Sequence, residues 1–377
     1  MQNNELVIIY GDQPLDLTLR LLEQIKPEQG LDPKARIGIK PNLVVPSPAE
    51  DGATTHPEIV EAIIIYFHER GYKHLVVLEG SWVGDRTSRA FKRCGYQSLS
   101  KQYKVPLIDL QQDESVPLEA DNMTINVCQQ VLGLDFLINV PVLKGHCQTG
   151  LTCALKNMKG CITDREKRRF HTMGLHKPIA ALSTLIRQDL IIIDGLCGDL
   201  TFEEGGHPVA MNRLIAAKDP VLADSYAAQL MGFDLDDVPY IKLAQRLGAG
   251  NTDVSQALIT ELNHDQETPV RLPKPLRDRP YIRQIEADQA CSACYGGLIH
   301  ALERLYERGA DKHLQQKRVL IGQGFKGNPA SRLHEQHKQQ NQKQTIGIGA
   351  CTAGCDQFVP GCPPKATDIL AFLSDID

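Results

Sequence analysis

The chain has 377 residues, of which 42% are hydrophobic and 23% charged, ordinary globular values that exclude wholesale disorder and leave ample material for a core. The length fits one large α/β domain or two of unequal size. A net charge of -5 argues against a dedicated nucleic-acid binder, whose mark is a basic face.

The opening MQNNELVIIYGDQPLDL has no basic leader and no long apolar run, and no later stretch approaches the roughly 18 apolar residues of a membrane span. A cytoplasmic location is expected. There, eleven cysteines read as thiols or metal ligands, because the cytosol keeps thiols reduced.

In chain order, ELVIIY, RIGIK, HLVVLEG, FLINVPV, LIIIDG and RLIAAK are strand candidates, with helix candidates such as HPEIVEAIIIYFHERG and PVLADSYAAQLMG between them. The alternation predicts a layered α/β domain over residues 1–262, built on a mainly parallel sheet with crossover helices. Such sheets bind ligands beyond the carboxyl ends of their strands. Lys40 and Asn42 in IKPNL, Glu79 in VVLEG and Asp194 in IIIDG all follow strands and converge there. Thr54, Thr55 and His56 in TTHPE read first as a Thr cap with Pro57 in the first helical turn.

The most polar stretch attached to a buried strand is LINVPVLKGHCQTGLTCALKNMKGCITDREKRRFH. Lys144 and His146 follow the strand, while Lys156, Asn157 and Lys159 lie on a helix-like segment where Lys156 and Lys159 share a face. This set could hold a carboxylate or phosphate. The bland reading gives these residues loop and capping roles, makes the charges around Arg165, Lys167, Arg168 and Arg169 a solvated loop, and packs Cys147, Cys153 and Cys161 without function. Glu203, Glu204 and His207, with Asp219 and Asp224, suit a divalent ion or acid–base work, although Asp219 before Pro220 equally suits a helix cap.

Residues 263–285 are polar and proline-rich, an expected linker. Residues 286–377 read as a smaller C-terminal α/β domain, with a helix at CSACYGGLIHALERLYERG, a strand at KRVLIG, a solvated loop or ragged helix at SRLHEQHKQQNQKQ and a closing helix at ATDILAFLSDI. Gly322, Gly324 and Gly327 form a GxGxxG after a strand. No helix opens on the third glycine and no acidic residue follows at the dinucleotide spacing, so these glycines read as a tight turn.

Five cysteines fall in this domain: Cys291, Cys294, Cys351, Cys355 and Cys362. Cys291 and Cys294 open a helix, where backbone N–H groups favour thiolate. Cys351 follows a strand and glycines, and Cys362 sits between Gly361 and Pro363–Pro364. Glycine admits a bulky inorganic centre and proline stiffens the chain. One 4Fe-4S cluster held by Cys291, Cys294, Cys351 and Cys362 is the preferred reading, with Cys355 as the spare, although the CxxxC spacing allows either Cys351 or Cys355. Zinc accepts four thiolates too, but structural zinc commonly shows two close pairs and this segment has one.

Across KPNLVVPSPAEDGATTHPEIVEA, LKGHCQTGLTCALKNMKGC, IIIDGLCG, AAKDPVLADSYAAQLMG, CSACYGGL and GIGACTAGCDQFVPGCPPKA the chain resembles the family called domain of unknown function 362. The resemblance implies an iron–sulfur association for some members. The tail GCPP is also similar to the cluster-ligating segment in small subunits of respiratory complex I and nickel–iron hydrogenases, a likeness that reaches only Cys362. The inserted two-cluster ferredoxin run of many relatives is missing here, which favours one cluster.

The expected function is a redox enzyme acting on a small anionic substrate or second cofactor, oriented by Lys144, His146, Lys156 and Asn157 with Lys40, Asn42 and Asp194 at the rim. The alternatives are an electron carrier serving a redox partner protein, a zinc-stapled binding protein, and a transferase or isomerase using the cluster as a Lewis acid.

Overall fold

The computed structural model describes residues 1–264, 280–312, 317–327 and 344–375, together with positions 270, 272 and 314. Most of the linker expected at 263–285, and the polar stretch at 331–343, lie outside the described residues. The chain divides into two units, one of Met1–Arg168 with His176–Pro275 and one of Arg169–Leu175 with Leu276–Asp377. The division is not the contiguous one expected, because a seven-residue segment from mid-chain groups with the C-terminal part.

The first unit runs β1 (Glu5–Tyr10), α1 (Pro14–Ile25), β2 (Ile37–Pro41), α2 (Pro57–Glu69), β3 (Leu75–Glu79), α3 (Thr87–Arg93), α4 (Tyr96–Tyr103), β4 (Leu107–Asp109), β5 (Ser115–Ala120), β6 (Met123–Cys128), α5 (Gln129–Leu132), β7 (Phe136–Val140), β8 (Lys144–His146), β9 (Gly150–Thr152) and α6 (Ala154–Asn157). It continues with α7 (Asp164–Met173), whose last turns count with the second unit, then α8 (His176–Leu182), β10 (Leu190–Asp199), β11 (Pro208–Ala217), α9 (Pro220–Leu230), α10 (Pro239–Arg246) and β12 (Leu258–Glu261).

Eight strands form one sheet in the order β12-β1-β11-β10-β7-β2-β3-β4. Most neighbours are parallel, but β11 runs antiparallel to both β1 and β10. The central strands are buried on both faces and so read as unbroken apolar runs. Helix α2 turns Ile59, Val60, Ile63, Ile64 and Phe67 into the core beside Ile37, Ile39 and Val77. Each such side chain contributes roughly 1.5–3 kcal/mol when fully buried.

Two hairpins stand outside this sheet. In β5–β6 the turn residues Asp121 and Asn122 have φ of 46° and 58°, the left-handed pair that a tight two-residue hairpin requires. In β8–β9, Lys144 pairs with Thr152. The chain proceeds from β2 outward to β3 and β4, then returns to β7 on the other side of β2. The switch point, where a crevice opens in sheets of this kind, therefore lies between β2 and β7.

The second unit holds β13 (Ile285–Ala287), α11 (Ser292–Glu307), β14 (Arg318–Ile321), β15 (Thr345–Ile348), β16 (Gln357–Val359) and α12 (Ala366–Ser374). Its four strands are all parallel, in sequence order. Val319, Ile321, Ile346, Ile348 and Val359 are buried, as are Leu298, Leu302, Leu305, Ile369 and Leu373 of its helices. Among the described residues no helix is long and apolar enough to cross a membrane.

Candidate functional site

Lys40 and Asn139 are paired in register at the switch point. Lys40 does not reach solvent there: its ammonium lies 2.8 Å from Glu79, donates to Pro41 O at 2.7 Å and approaches Asn157 Oδ1 at 3.4 Å. Glu79 completes its shell with the backbone N–H groups of Leu43 and Gly80 at 2.9 and 2.7 Å. Asn157 Nδ2 donates to Asn139 Oδ1 at 2.7 Å. A Cβ on Gly160 would stand 2.3 Å from Glu79 Oε1 and 2.7 Å from Lys40 Nζ, so only glycine lets that turn close over the pair. Lys40 and Asn157, expected to meet a ligand, serve here as an internal clamp.

Lys144 is likewise interior. Its ammonium donates to Asn42 Oδ1, Ala53 O and Glu203 O, which occupies its three donors and ties β8 to two loops. Burial, then the charge of Lys156, pushes its pKa down to about 7 against the pull of Glu203, Glu79 and Asp199. Lys156 is partly exposed and donates to Thr152 Oγ1 at 3.2 Å. Burial of its ammonium lowers its pKa to about 8, opposed by Glu203 and Cys147. Lys159 is held well below the usual lysine range by burial, then by Lys156 and Lys167.

His146, Cys147 and Glu203 bring a ring nitrogen, a sulfur and a carboxylate oxygen within 4.8 Å of one another. The hydrogen bonds oppose metal ligation. His146 Nδ1 accepts from the backbone N–H of Gln148 and Thr149 at 3.0 and 3.2 Å, so the neutral ring carries its proton on Nε2, facing Glu203 Oε1 at 3.3 Å. A metal on Nε2 would have to displace that proton while Nδ1 stayed surrounded by donors. The Cys147 thiol, 3.4 Å from Glu203 Oε1, is pushed far up by burial and then by that carboxylate. The trio is a hydrogen-bonded clasp.

Asp194 accepts from the backbone N–H and Nδ1 of His56 at 2.9 and 2.8 Å, and from Leu196 N at 3.1 Å. His56, not a threonine, is the N-cap residue of α2, while Thr55 Oγ1 accepts from Asn42 N and donates to Val140 O. Burial works against charge on His56, but Asp194, then Glu58 and Glu50, outweigh it and raise the imidazole pKa.

The acidic and imidazole set expected from Glu203 to Asp224 is dispersed. Glu204 is exposed, His207 Nδ1 lies 3.6 Å from Asp199, and Asp219 caps α9. Asp224 is buried and accepts from Ala154 N and Leu155 N at 2.7 and 3.3 Å, which fixes the start of α6. The charged stretch from Asp164 is a helix rather than a loop. It turns Arg165 and Arg168 outward but buries Lys167 on Asp164 Oδ1 and Ser81 O.

In the second unit the cysteines gather at the carboxyl edge of the parallel sheet. Cys291 is the N-cap residue of α11, just after β13, with Cys294 in the first turn; Cys351 lies in a 3₁₀ turn after β15, and Cys362 follows β16. Each of the last three strands exits through a glycine at positive φ: Gly322 at 126°, Gly349 at 89° and Gly361 at 128°. A Cβ on Gly322 would meet Asp288 O at 1.9 Å, and one on Gly361 would meet Pro364 Cα at 2.8 Å.

Burial, then the neighbouring Cys291, Cys362 and Cys351 thiols, raises Cys294 to about 11. Cys355 belongs to another neighbourhood: burial and Asp356 raise it to about 11 while Thr345 hydrogen-bonds it.

Two partners in this unit were not visible in the residue pattern. Gln323, from the glycine turn after β14, donates to Cys291 Sγ at 3.4 Å and to Thr172 O at 2.7 Å. His171 Nδ1 lies 2.6 Å from Ser292 Oγ. No spacing rule links these residues, since they meet only through the return of residues 169–175.

Residues 37–229 match the family described as Domain of unknown function (DUF362). The chain is 24% identical over 263 residues to a thylakoid-associated protein of Synechocystis sp., covering 65% of this chain and 78% of that protein. Among solved structures it is similar to the lactate racemase apoprotein of Thermoanaerobacterium thermosaccharolyticum, at 10% identity and a TM-score of 0.44, covering 100% of this chain and 92% of that one. A Thermotoga maritima protein gives 14% identity and a TM-score of 0.39, over 63% of this chain and 60% of that one.

Proposed function

The chain belongs to the DUF362 family, and we propose that this member is an iron–sulfur redox enzyme acting on a small anionic substrate or second cofactor in its first unit. Cys291, Cys294, Cys351 and Cys362 would hold one 4Fe-4S cluster. Such a cluster supplies one-electron transfer, at a potential governed by hydrogen bonding and burial around its sulfurs. The observation that carries the reading is the gathering of these four thiols, from three chain segments, at one sheet edge with Cys355 apart.

The protein supplies the surroundings. Glycine exits bring the backbone close to the thiols, and Gln323 directs an N–H at Cys291 Sγ. In the first unit, Lys40 is tied to Glu79 and Asn157, Lys144 to Asn42, His146 to Glu203 and Asp194 to His56, while Lys156, bonded to the Thr152 hydroxyl, is the lysine whose ammonium would meet the substrate. All eleven cysteines are free, which supports a reducing, cytoplasmic-type compartment.

The test is anaerobic purification with iron, sulfide and zinc analysis and electron paramagnetic resonance before and after dithionite. About four irons per chain and a reducible signal are expected, with Cys362→Ala losing iron and Cys355→Ala keeping it. Zinc without iron, or full iron in Cys362→Ala, overturns the assignment. Redox cycling by a partner protein with no small-molecule ligand on the first unit would instead mark an electron carrier.

A further inference from the structure

On β10, Asp194 is 0% exposed and the His56 side chain that it holds is 11% exposed. One carboxylate oxygen, Oδ2, takes both the backbone N–H and Nδ1 of His56, at 2.9 and 2.8 Å. The other takes Leu196 N–H at 3.1 Å, where the register of β10 against β11 shifts between Gly195 and Cys197, an irregularity of the kind that re-aims side chains beside functional sites. Because the carboxylate accepts, Nδ1 carries the ring proton, and the neutral imidazole leaves Nε2 as a bare acceptor. His146 has the opposite arrangement, with Nδ1 accepting from two backbone N–H groups.

The pair stands at the switch point. Thr55, the residue before His56, accepts from Asn42 N just after β2 and donates to Val140 O at the end of β7, each at 2.8 Å. Its backbone is held too, with N–H on Asn42 O at 2.9 Å and its carbonyl under the Tyr96 hydroxyl at 3.1 Å. Pro57 fixes the other side of His56 at the start of α2. The imidazole is therefore set in place at the edge where parallel sheets take their ligands.

We propose that His56 is a proton-transferring catalytic residue of the first unit, its Nε2 taking a proton from bound substrate while Asp194 acts as the positioning residue. The substrate X–H bond breaks, its electron pair stays on X, and the proton forms the Nε2–H of an imidazolium. Asp194 stays ionised and stabilises that cation. The ligand class is a small anion whose reacting C–H or O–H is acidified by an adjacent electron-withdrawing group. This rests on the reading that substrate binds in the first unit and does not depend on the thiols of the second.

The electrostatics agree with that role. Burial opposes charge on His56, but Asp194, then Glu58 of α2 and Glu50 in the turn before it, outweigh burial and raise the imidazole pKa. A base that titrates near neutral pH is matched to proton transfer.

Diethyl pyrocarbonate, which acylates a reachable and unprotonated imidazole nitrogen, tests the geometry on the purified full chain, with peptide mass spectrometry locating the product. His56 should react within about tenfold of the exposed His74, whereas a ring reached only through local opening would lag by the opening constant. The rate should follow a titration above the ordinary 6.5, and Asp194→Asn should lower its midpoint by about 1 unit or more. Proton transfer itself is read with 5-nitrobenzisoxazole, a small neutral carbon acid. Loss of its C–H proton breaks the N–O bond and leaves a coloured phenolate. The parent should turn it over at least about tenfold faster than His56→Gln, with the midpoint seen in acylation, and His74→Gln should match the parent.

His56 unmodified in the folded chain, a midpoint that Asp194→Asn leaves in place, or equal turnover by the parent and His56→Gln overturns the proposal. The wild-type acylation stands even if Asp194→Asn folds poorly. His56→Gln should keep the parent's iron content and Cys362→Ala the parent's proton transfer, so the two readings fail separately.

Discussion

Replacing Lys40 with Met would break the buried ion pair beneath the switch point while leaving the four-carbon stem's volume nearly unchanged. The pair is 0% and 3% exposed, so Glu79 would keep a buried charge with only the N–H groups of Leu43 and Gly80 to hold it. Breaking one side of such a pair costs about 3–5 kcal/mol. For a unit of this size each kcal/mol lowers Tm by roughly 2–4 °C, so Lys40→Met should melt roughly 6–20 °C lower. The chain has a single tryptophan, Trp82, which lies in the first unit just beyond Glu79, so its fluorescence isolates that unit's transition from the second unit's. Lys40→Met with Glu79→Gln should recover part of the loss, because the unpaired charge is gone. A single-variant loss under about 1 kcal/mol, or a double variant no better than the single, would refute the clamp and return Lys40 to the ligand side.

The His56 imidazole should titrate above its ordinary value, and Asp194→Asn should bring it down, since burial would then oppose the charge with less to offset it; carbon-13 labelled histidine spectra read this directly, and an unchanged titration sinks the assignment. Because the folded pKa is raised, the pair's stabilising contribution is complete below the unfolded value near 6.5 and is lost as pH rises through the folded value, so the Asp194→Asn melting curve should show less loss over that window. Gln323→Leu removes the N–H aimed at Cys291 Sγ; redox titration should give a more negative midpoint, with about 59 mV marking a tenfold change, and an unmoved potential would assign the glutamine to packing alone. Gly349→Ala places a side chain at φ 89° and ψ 164°, a region essentially reserved for glycine, and should cost about 1–3 kcal/mol in a calorimetric scan; a neutral result would mean that the strand exit relaxes freely.

The alternation of apolar runs and amphipathic segments made the layered α/β architecture legible, because strands buried on both faces leave an unmistakable pattern. The reversed direction of β11 was not legible, since RLIAAK is equally apolar whichever way it runs. The β5–β6 hairpin did carry a signal, the Asp121–Asn122 turn, in a stretch otherwise too polar to announce a strand. The gathering of four cysteines followed from their placement beside glycines and prolines at strand and helix ends. The lysines were misleading for a physical reason. A lysine after a strand reads as crevice chemistry, but whether it meets a ligand depends on which carboxylates and carbonyls wait inside, and Glu79 and Ala53 O are distant in sequence from Lys40 and Lys144. Lys156 stands apart because the hydrogen bond it makes among the described residues goes to the Thr152 hydroxyl.

The chain visits the second unit twice, first with Arg169–Leu175 and finally with Leu276–Asp377. During synthesis the first visitor leaves the ribosome early and must wait while everything from α8 to β12 is made before its own neighbours exist. A fragment starting at Leu276 would lack His171 and Thr172, and with them the contact of His171 with the Ser292 hydroxyl and the carbonyl that accepts from the Gln323 amide. Proteolytic dissection or recombination of this chain at one point therefore cannot yield an intact second unit. Any transplant of the thiol-bearing part must carry the short mid-chain segment with it.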